Sequence, residues 1–300
     1  MAKRPRLAQN GGEERAMVTV GVVGLGSMGA GMARTLLAKG FRVVGYDLSE
    51  ARRSAVPGLV AAADVVAAAS DASVLVLSLP AAAEVEAVVR ASGLLEGGER
   101  TVVLDTTTSE PDASRRLAAA LAAAGHGFLD APVSGGPQGA ASGRLAMMIG
   151  GAAEDLAYAR PVVDALAAKA MHVGPSGAGN VAKLVNNMLV AAHMITTREG
   201  LRLAAAAGVD PEAVLAVVNA ATGRSALSEI HFPTWIASGR FDSGFTMGLM
   251  RKDVRLALTL AERAGADLPL AQEAGRLWAA HPADDRDDFT RMGAWERDDA

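Results

Sequence analysis

Cysteine is absent from the 300 residues, so disulfides, thiolate catalysis and cysteine-ligated metals are excluded. The same absence fits a reducing compartment, and the expected location is the cytoplasm. The five histidines (His126, His172, His193, His231 and His281) are scattered, with no pair at metal-ligand spacing, so no metal site is expected. An excess of basic charge is also missing. The net charge of −4 and the isoelectric point near 5.8 leave no electrostatic footprint for nucleic acid, and "KRPR" at Lys3–Arg6 is too short to change that. No run of about 18 apolar residues occurs, so no membrane span is expected. The first 16 residues, "MAKRPRLAQNGGEERA", lack an apolar segment of the secretory kind and read as a disordered tail before Met17.

What is present is a globular composition, with 50% hydrophobic and 21% charged residues and enough length for one large or two ordinary domains. From Val18, short β-rich runs alternate with Ala-rich helical stretches. The strand candidates are 18–23, 41–46, 73–79, 101–105 and 126–130, with weaker ones at 144–150 and 168–174. Apolar strands alternating with helices such as 29–39 and 111–124 imply a doubly wound, mainly parallel sheet covered on both faces. The pattern changes at "GPSGAG" (174–179), after which strand signal nearly vanishes. A long helix is expected over 180–207. Asp210 and Pro211 follow as an N-cap and a proline at the first helical position, and further helices are expected at 211–221, 225–237, 247–264 and 269–280. The boundaries are therefore a tail (1–16), an α/β domain (17–176) and an all-α domain (177–300), with the charged residues after Pro282 expected to be mobile.

"GLGSMG" places Gly24, Gly26 and Gly29 in G-x-G-x-x-G spacing, with Leu25, Ser27 and Met28 between them. Alone this spacing says little. Here it follows an apolar strand and opens a helix, the context a dinucleotide-binding loop requires. Gly24 permits the tight turn, Gly26 lets backbone approach a pyrophosphate, and Gly29 allows close helix–strand contact. Asp47, 47 − 29 = 18 residues beyond Gly29, closes the second strand. A carboxylate there accepts from an adenosine ribose and repels a 2′-phosphate, which favours NAD while leaving NADP possible. Arg52 and Arg53 stand close enough to moderate that preference. The bland alternative is a glycine turn followed by an Asp helix cap.

A second glycine turn, Ser134-Gly135-Gly136, follows the strand ending "FLD". A hydroxyl and closely spaced N–H groups there suit a small carboxylate, although a flexible turn would look the same. In "NVAKLVNNMLVAA" (180–192), Lys183, Asn186 and Asn187 interrupt an apolar helix. Side chains three and four apart share a face, so Lys183 and Asn187 can meet one ligand; the bland alternative is a lysine reaching out to solvent.

Taken together, "GLGSMGAGMA", "LDTTTSEP", "DAPVSGGPQGA", "GAGNVAKLVNN" and "RKDVRLA" occur in the order seen in β-hydroxyacid dehydrogenases of the 3-hydroxyisobutyrate dehydrogenase type, a resemblance covering roughly 18–275. It implies a Rossmann domain joined through a long helix to an all-helical domain, a small carboxylate substrate, and assembly as a homodimer or homotetramer. By resemblance Lys183 is the catalytic lysine. Asn187 helps place the substrate, and Ser134, Gly135 and Gly136 bind its carboxylate. Leu79, Pro80 and Thr108 line the cofactor, and Lys252 reaches the cofactor–substrate region. Thr35, Gly248 and Arg251 depart from the family's usual residues; Thr35 reads as a packing change, while Gly248 and Arg251 put the local charge and substrate in question.

Oxidising an alcohol by hydride transfer also requires removal of the hydroxyl proton. A lysine near its ordinary value of 10.4 is a poor base at neutral pH, but burial can lower it toward roughly 7–8. The expected function is hydride transfer between nicotinamide and a short 3-hydroxy acid, with Lys183 moving the proton. One rival is an imine reductase, in which Asp or Tyr would replace Lys183. A second is a 6-phosphogluconate-type enzyme, which would need a longer chain and more basic residues. The third is a dinucleotide-binding scaffold without chemistry.

Overall fold

The computed structural model describes residues 18–295, so the expectation for the amino-terminal tail lies outside the described residues. Strands β1 (Thr19–Val23), β2 (Arg42–Tyr46), β3 (Val60–Ala61), β4 (Val74–Leu77), β5 (Val102–Asp105), β6 (Gly127–Asp130), β7 (Val133–Ser134), β8 (Leu145–Gly151) and β9 (Ala167–Gly174) form one sheet. The helices of this part are α1 (Ser27–Ala38), α2 (Glu50–Ser54), α3 (Val65–Ala69), α4 (Ala82–Ala91), α5 (Pro111–Ala123), α6 (Gly136–Ser142) and α7 (Ala153–Leu166). After them come α8 (Ala178–Ala206), α9 (Pro211–Ala220), α10 (Met247–Ala264) and α11 (Pro269–Ala280). Two compact units result, one ending at Lys183 and the other beginning at Leu184, and α8 runs through the boundary.

In the first unit the strand order is β3-β2-β1-β4-β5-β6-β8-β7, with β9 on the other side of β8. β1 to β6 are parallel to one another, whereas β8 runs antiparallel to β6 and β7. The sheet is thus mainly parallel and wound in both directions from β1 and β4. β4, β5 and β6 are buried along their whole length, because helices cover both faces. Val22, Val76, Leu104 and Leu129 fill one side with Met32 and Leu36 of α1, and Leu75, Leu77 and Val103 fill the other with Val85 and Val89 of α4. Winding reverses between β1 and β4, and in such sheets ligands lie beyond the carboxyl ends of the strands at this reversal.

The second unit is helical. α10 begins at Thr246, whose hydroxyl accepts the Leu249 N–H, and ends at Gly265 with φ 67°. Its buried face runs Met247, Met250, Val254, Ala257 and Ala261, the period of an amphipathic helix. That face joins a core of Met194, Phe232 and Trp278, and the Trp278 indole donates to the Ala191 carbonyl at 3.1 Å. No helix among the described residues is long and apolar enough to cross a membrane.

Three details differ from the sequence-based expectations. β3 and β7 are not among the strand candidates, because each is two residues long and too short to show a period. The segment 227–236 is a wider, π-type helix, because Pro233 lies inside it and cannot donate an ordinary helical hydrogen bond. The residues after Pro282 are not mobile as far as 295: Phe289, Thr290 and Met292 are buried, and Asp288 bridges to Thr246. The density of charge in "DDRDD" hid the two apolar anchors that follow it.

Candidate active site

Parallel strands bring residues distant in sequence to one edge. Gly24 follows β1, Asp47 follows β2, Leu79 and Pro80 follow β4, Thr108 follows β5, and Ser134 lies beyond β6. The structure therefore gathers most of the residues singled out in the first unit along the carboxyl edge of one sheet.

The three glycines of the first loop are required for different reasons. Gly24 has φ 89°, and a Cβ there would stand 2.2 Å from the Ser78 carbonyl oxygen at the end of β4. A Cβ on Gly29 would come within 1.8 Å of the Gly24 carbonyl oxygen, so only glycine lets α1 start against the turn. Beside Gly26 no protein atom lies within 4 Å of an added Cβ. Packing therefore does not require this glycine, and the space beside it is open to a ligand. Gly26 is also the N-cap of α1, which has no side-chain cap and no acidic residue in its first turn. The partial positive charge of the helix start is thus left for an anion. Leu25 is buried, Met28 is half-buried and Ser27 is exposed.

Asp47 is held from two sides. The Leu25 N–H donates to one carboxylate oxygen at 2.8 Å and the Ser49 N–H to the other at 2.9 Å. Burial raises its carboxyl, but these hydrogen bonds and the Arg52 charge outweigh burial and hold it below its ordinary value of 3.8. Arg52 stands 3.6 Å from the carboxylate. Arg53 instead donates to the Asp47 carbonyl at 2.5 Å and lies over the Tyr46 ring. Each carboxylate oxygen keeps acceptor capacity for a ribose hydroxyl.

Next to the reversal point, the Leu79 N–H donates to the Thr107 hydroxyl at 3.2 Å, which joins the ends of β4 and β5 beside Thr108. Ser134 is a strand residue, paired with Ala146 of β8 rather than set in a flexible turn. Gly135 and Gly136 follow with φ of 120° and 60°, values that favour glycine, and turn the chain into α6.

α8 carries a polar stripe on an apolar helix. Asn180, Lys183 and Asn187 are buried, at 0%, 7% and 4% exposure, with the spacing i, i+3, i+7 of one helical face. Asn186 is half-buried and donates to the Asn187 oxygen at 3.0 Å. The neighbouring His193 is exposed. In the second unit Asn187 donates to Asp253 at 2.6 Å. The Lys252 amine lies 3.3 Å from the other Asp253 oxygen, an ion pair without hydrogen-bond alignment. Asp253 was missed by sequence reasoning, although its place directly after Lys252 was the available signal. Asn180 and Asp130 were missed too; each lies inside a motif already noted.

Gly248 and Arg251 have a structural role that the sequence did not show. The Gly248 N–H donates to the Asp285 carbonyl at 2.9 Å, and a Cβ there would sit 3.0 Å from Asp285 Cβ. Arg251 pairs with the Asp285 carboxylate at 2.5 Å and donates to the carbonyls of Trp278, His281 and Ala283. Both departures thus hold the carboxyl-terminal segment on α10. Thr35 is a packing residue with a bond of its own, donating to the Ala140 carbonyl at 2.7 Å.

These residues fit a nicotinamide dinucleotide: an uncapped helix start, an open glycine and a fixed carboxylate after β2. No group of three or more metal-ligating side chains occurs among the described residues. Comparison with known proteins agrees. Residues 19–174 match the model of the NAD-binding domain of 6-phosphogluconate dehydrogenase. Residues 177–294 match that described as NAD-binding of NADP-dependent 3-hydroxyisobutyrate dehydrogenase. The chain is 36% identical to a 2-(hydroxymethyl)glutarate dehydrogenase of Eubacterium barkeri, over 87% of this chain and 88% of that one. It is 38% identical to an NAD-dependent L-serine dehydrogenase of Pseudomonas aeruginosa, over 87% and 91% respectively. A solved structure of the Mycobacterium tuberculosis 3-hydroxyisobutyrate dehydrogenase with L-serine superposes with a TM-score of 0.86 at 33% identity, covering 92% of this chain and 98% of that one.

Proposed function

The chain belongs to the β-hydroxyacid dehydrogenase family and is a nicotinamide-dependent oxidoreductase, and on that premise we propose that it oxidises a short 3-hydroxy acid with NAD, using Lys183 as the general base. The dehydrogenase relatives named above act on 2-(hydroxymethyl)glutarate and L-serine, and a third acts on 3-hydroxyisobutyrate. All three compounds carry a primary alcohol one carbon removed from a carboxylate-bearing carbon. The substrate class proposed here is that shared unit, with the third substituent open.

Lys183 carries the reading. It is a buried amine on the polar face of an apolar helix. A lysine amine on such a face can take one proton from a bound hydroxyl and give it back, which is the work of a general acid–base group. The nicotinamide supplies the hydride acceptor when bound. Lys183 takes the hydroxyl proton during oxidation, and its ammonium returns it during reduction. Ser134, Gly135 and Gly136 hold the carboxylate, Asn187 fixes the substrate's orientation, and Lys252 assists from α10. Leu79, Pro80 and Thr108 line the nicotinamide half of the cofactor.

The preference for NAD rests on Asp47, whose ionised carboxylate opposes a 2′-phosphate. Assembly as a homodimer or homotetramer is also proposed. It is supported by Leu203, Val217 and Leu270, which leave 72%, 65% and 84% of their surface exposed on the helical unit.

Steady-state kinetics on 3-hydroxyisobutyrate, L-serine, glycerate, threonate and 4-hydroxybutyrate, each with NAD and NADP, test the reading. NAD-linked turnover highest on a compound with the shared unit is the expected result. Cofactor binding without turnover on any of them would instead indicate a scaffold.

A further inference from the structure

Asp130 is the last residue of β6 and has no exposed surface. One carboxylate oxygen accepts the Gly177 N–H at 2.7 Å, and the other accepts the Asn180 N–H at 2.9 Å. Two acceptors on one rigid group thus grip two N–H donors at the start of α8. Two points of attachment fix a helix in rotation as well as in height, where a single cap would leave it free to turn.

Asn180 extends the grip to two other elements. Its side-chain oxygen accepts the Ser109 N–H at 2.9 Å, in the segment after β5, and its amide donates to the Ser114 hydroxyl of α5 at 3.0 Å. Backbone fits against backbone at the same place. A Cβ on Gly179 would lie 2.3 Å from the Asp130 carbonyl oxygen and 2.5 Å from that of Met148. One on Gly150 would lie 2.6 Å from the Asp130 carboxylate. The helix start is therefore seated on the strand ends without slack. Lys183 follows Asn180 by three residues on the same face, a rise of about 4.5 Å.

This arrangement is a costly way to cap a helix. Burial raises the Asp130 carboxyl above its ordinary value even though four backbone N–H groups, Gly177 and Asn180 foremost, pull it the other way. A neutral Ser or Thr would satisfy a helix start without burying a charge. What the carboxylate adds is a two-pronged, charge-assisted attachment of defined geometry.

We propose that Asp130 and Asn180 are positioning residues for the reaction: they set the height and rotation of α8, and through it the place of the Lys183 amine. The inference rests on the proton-transfer role given to Lys183 above.

The test is a double-mutant cycle on the full-length enzyme, comparing Asp130→Asn and Lys183→Ala, singly and together, in oxidation of 3-hydroxyisobutyrate by NAD. Asp130→Asn alone should lower kcat by about tenfold or more, since misplacing a reacting group by about 1 Å costs up to about a hundredfold. The substrate KM and the Kd for NADH, read by fluorescence, should stay within about threefold. In the Lys183→Ala background Asp130→Asn should cost nothing further, because residues that act as one unit are not additive. An equal loss in both backgrounds would mean general damage and overturn the proposal. Unimpaired turnover in Lys183→Ala alone would overturn the role of Lys183 itself, a separate and distinguishable failure. If Asp130→Asn does not fold, Ser114→Ala carries the same cycle. It removes only one acceptor of Asn180 and should lower kcat about threefold or more, again only when Lys183 is present. An unchanged kcat in Ser114→Ala would then count against the proposal.

Discussion

The side-chain amide of Asn187 donates to the carboxylate of Asp253 at 2.6 Å, and both residues are buried. Asn187 also accepts from Asn186, so its amide plane is fixed at both ends. Asp253→Ala should release that plane. The expected effect is a rise in substrate KM of about tenfold or more, the size of a lost hydrogen bond to a charged group, with the Kd for NADH unchanged. An unaltered KM would show that Asn187 does not need Asp253.

Gly26 and Gly29 should respond in opposite ways to the same change. Gly29→Ala drives a methyl into the Gly24 carbonyl, so the apoprotein itself should melt at lower temperature. In Gly26→Ala the methyl meets no protein atom. Thermal stability of the apoprotein should hold within about 1 kcal/mol, while the Kd for NADH rises about tenfold or more. Melting curves and fluorescence titration separate the two, and unchanged NADH affinity in Gly26→Ala would remove the loop from the binding account.

The first unit was legible because its signals are local. Parallel strands announce themselves as apolar runs, and the loop around Gly26 is a contiguous motif beside a strand. The polar face of α8 was legible for the same reason, since helical periodicity is read over a few residues. Partners across long stretches of chain were not. Asp253 lies 66 residues from Asn187, and Asp130 lies 50 residues from Asn180. Nothing in the intervening sequence states that they meet. The same limit applied to Arg251: its extra charge looked like a change near the substrate, and only the path of residues 281–285 shows what it holds.

Arg251→Ala should therefore affect stability rather than catalysis. The guanidinium bonds three carbonyls and one carboxylate of the carboxyl-terminal part of the chain. Its loss should cost about 1–3 kcal/mol in urea unfolding, with substrate KM nearly unchanged. A large KM change with full stability would return Arg251 to the substrate.

His231 makes the stability of the helical unit depend on pH. Burial pushes its imidazole below the ordinary value of 6.5, while the Ala226 backbone and the Asp288 charge oppose it in part. The unfolded chain takes up this proton as pH falls through about 6.5, and the folded chain does so only at lower pH. The stability it contributes is thus complete above 6.5 and is lost as pH falls toward the folded value. Urea midpoints at pH 7.5 and 5.5 should differ more in the native protein than in His231→Phe, whose ring keeps the contacts to Trp235 and Phe289. Equal differences in both proteins would assign the acid sensitivity elsewhere.

Lys183→Ala, followed by single-turnover oxidation of 3-hydroxyisobutyrate by NAD from pH 6 to 10, bears most directly on the proton role of the buried amine. The expected result is NADH affinity within about threefold of the native protein and a hydride-transfer rate about a hundredfold to ten-thousandfold lower, the range spanned by general acid–base catalysis. The lost rate should be partly restored by added methylamine. A rate within about threefold of native with the native pH profile would contradict the account.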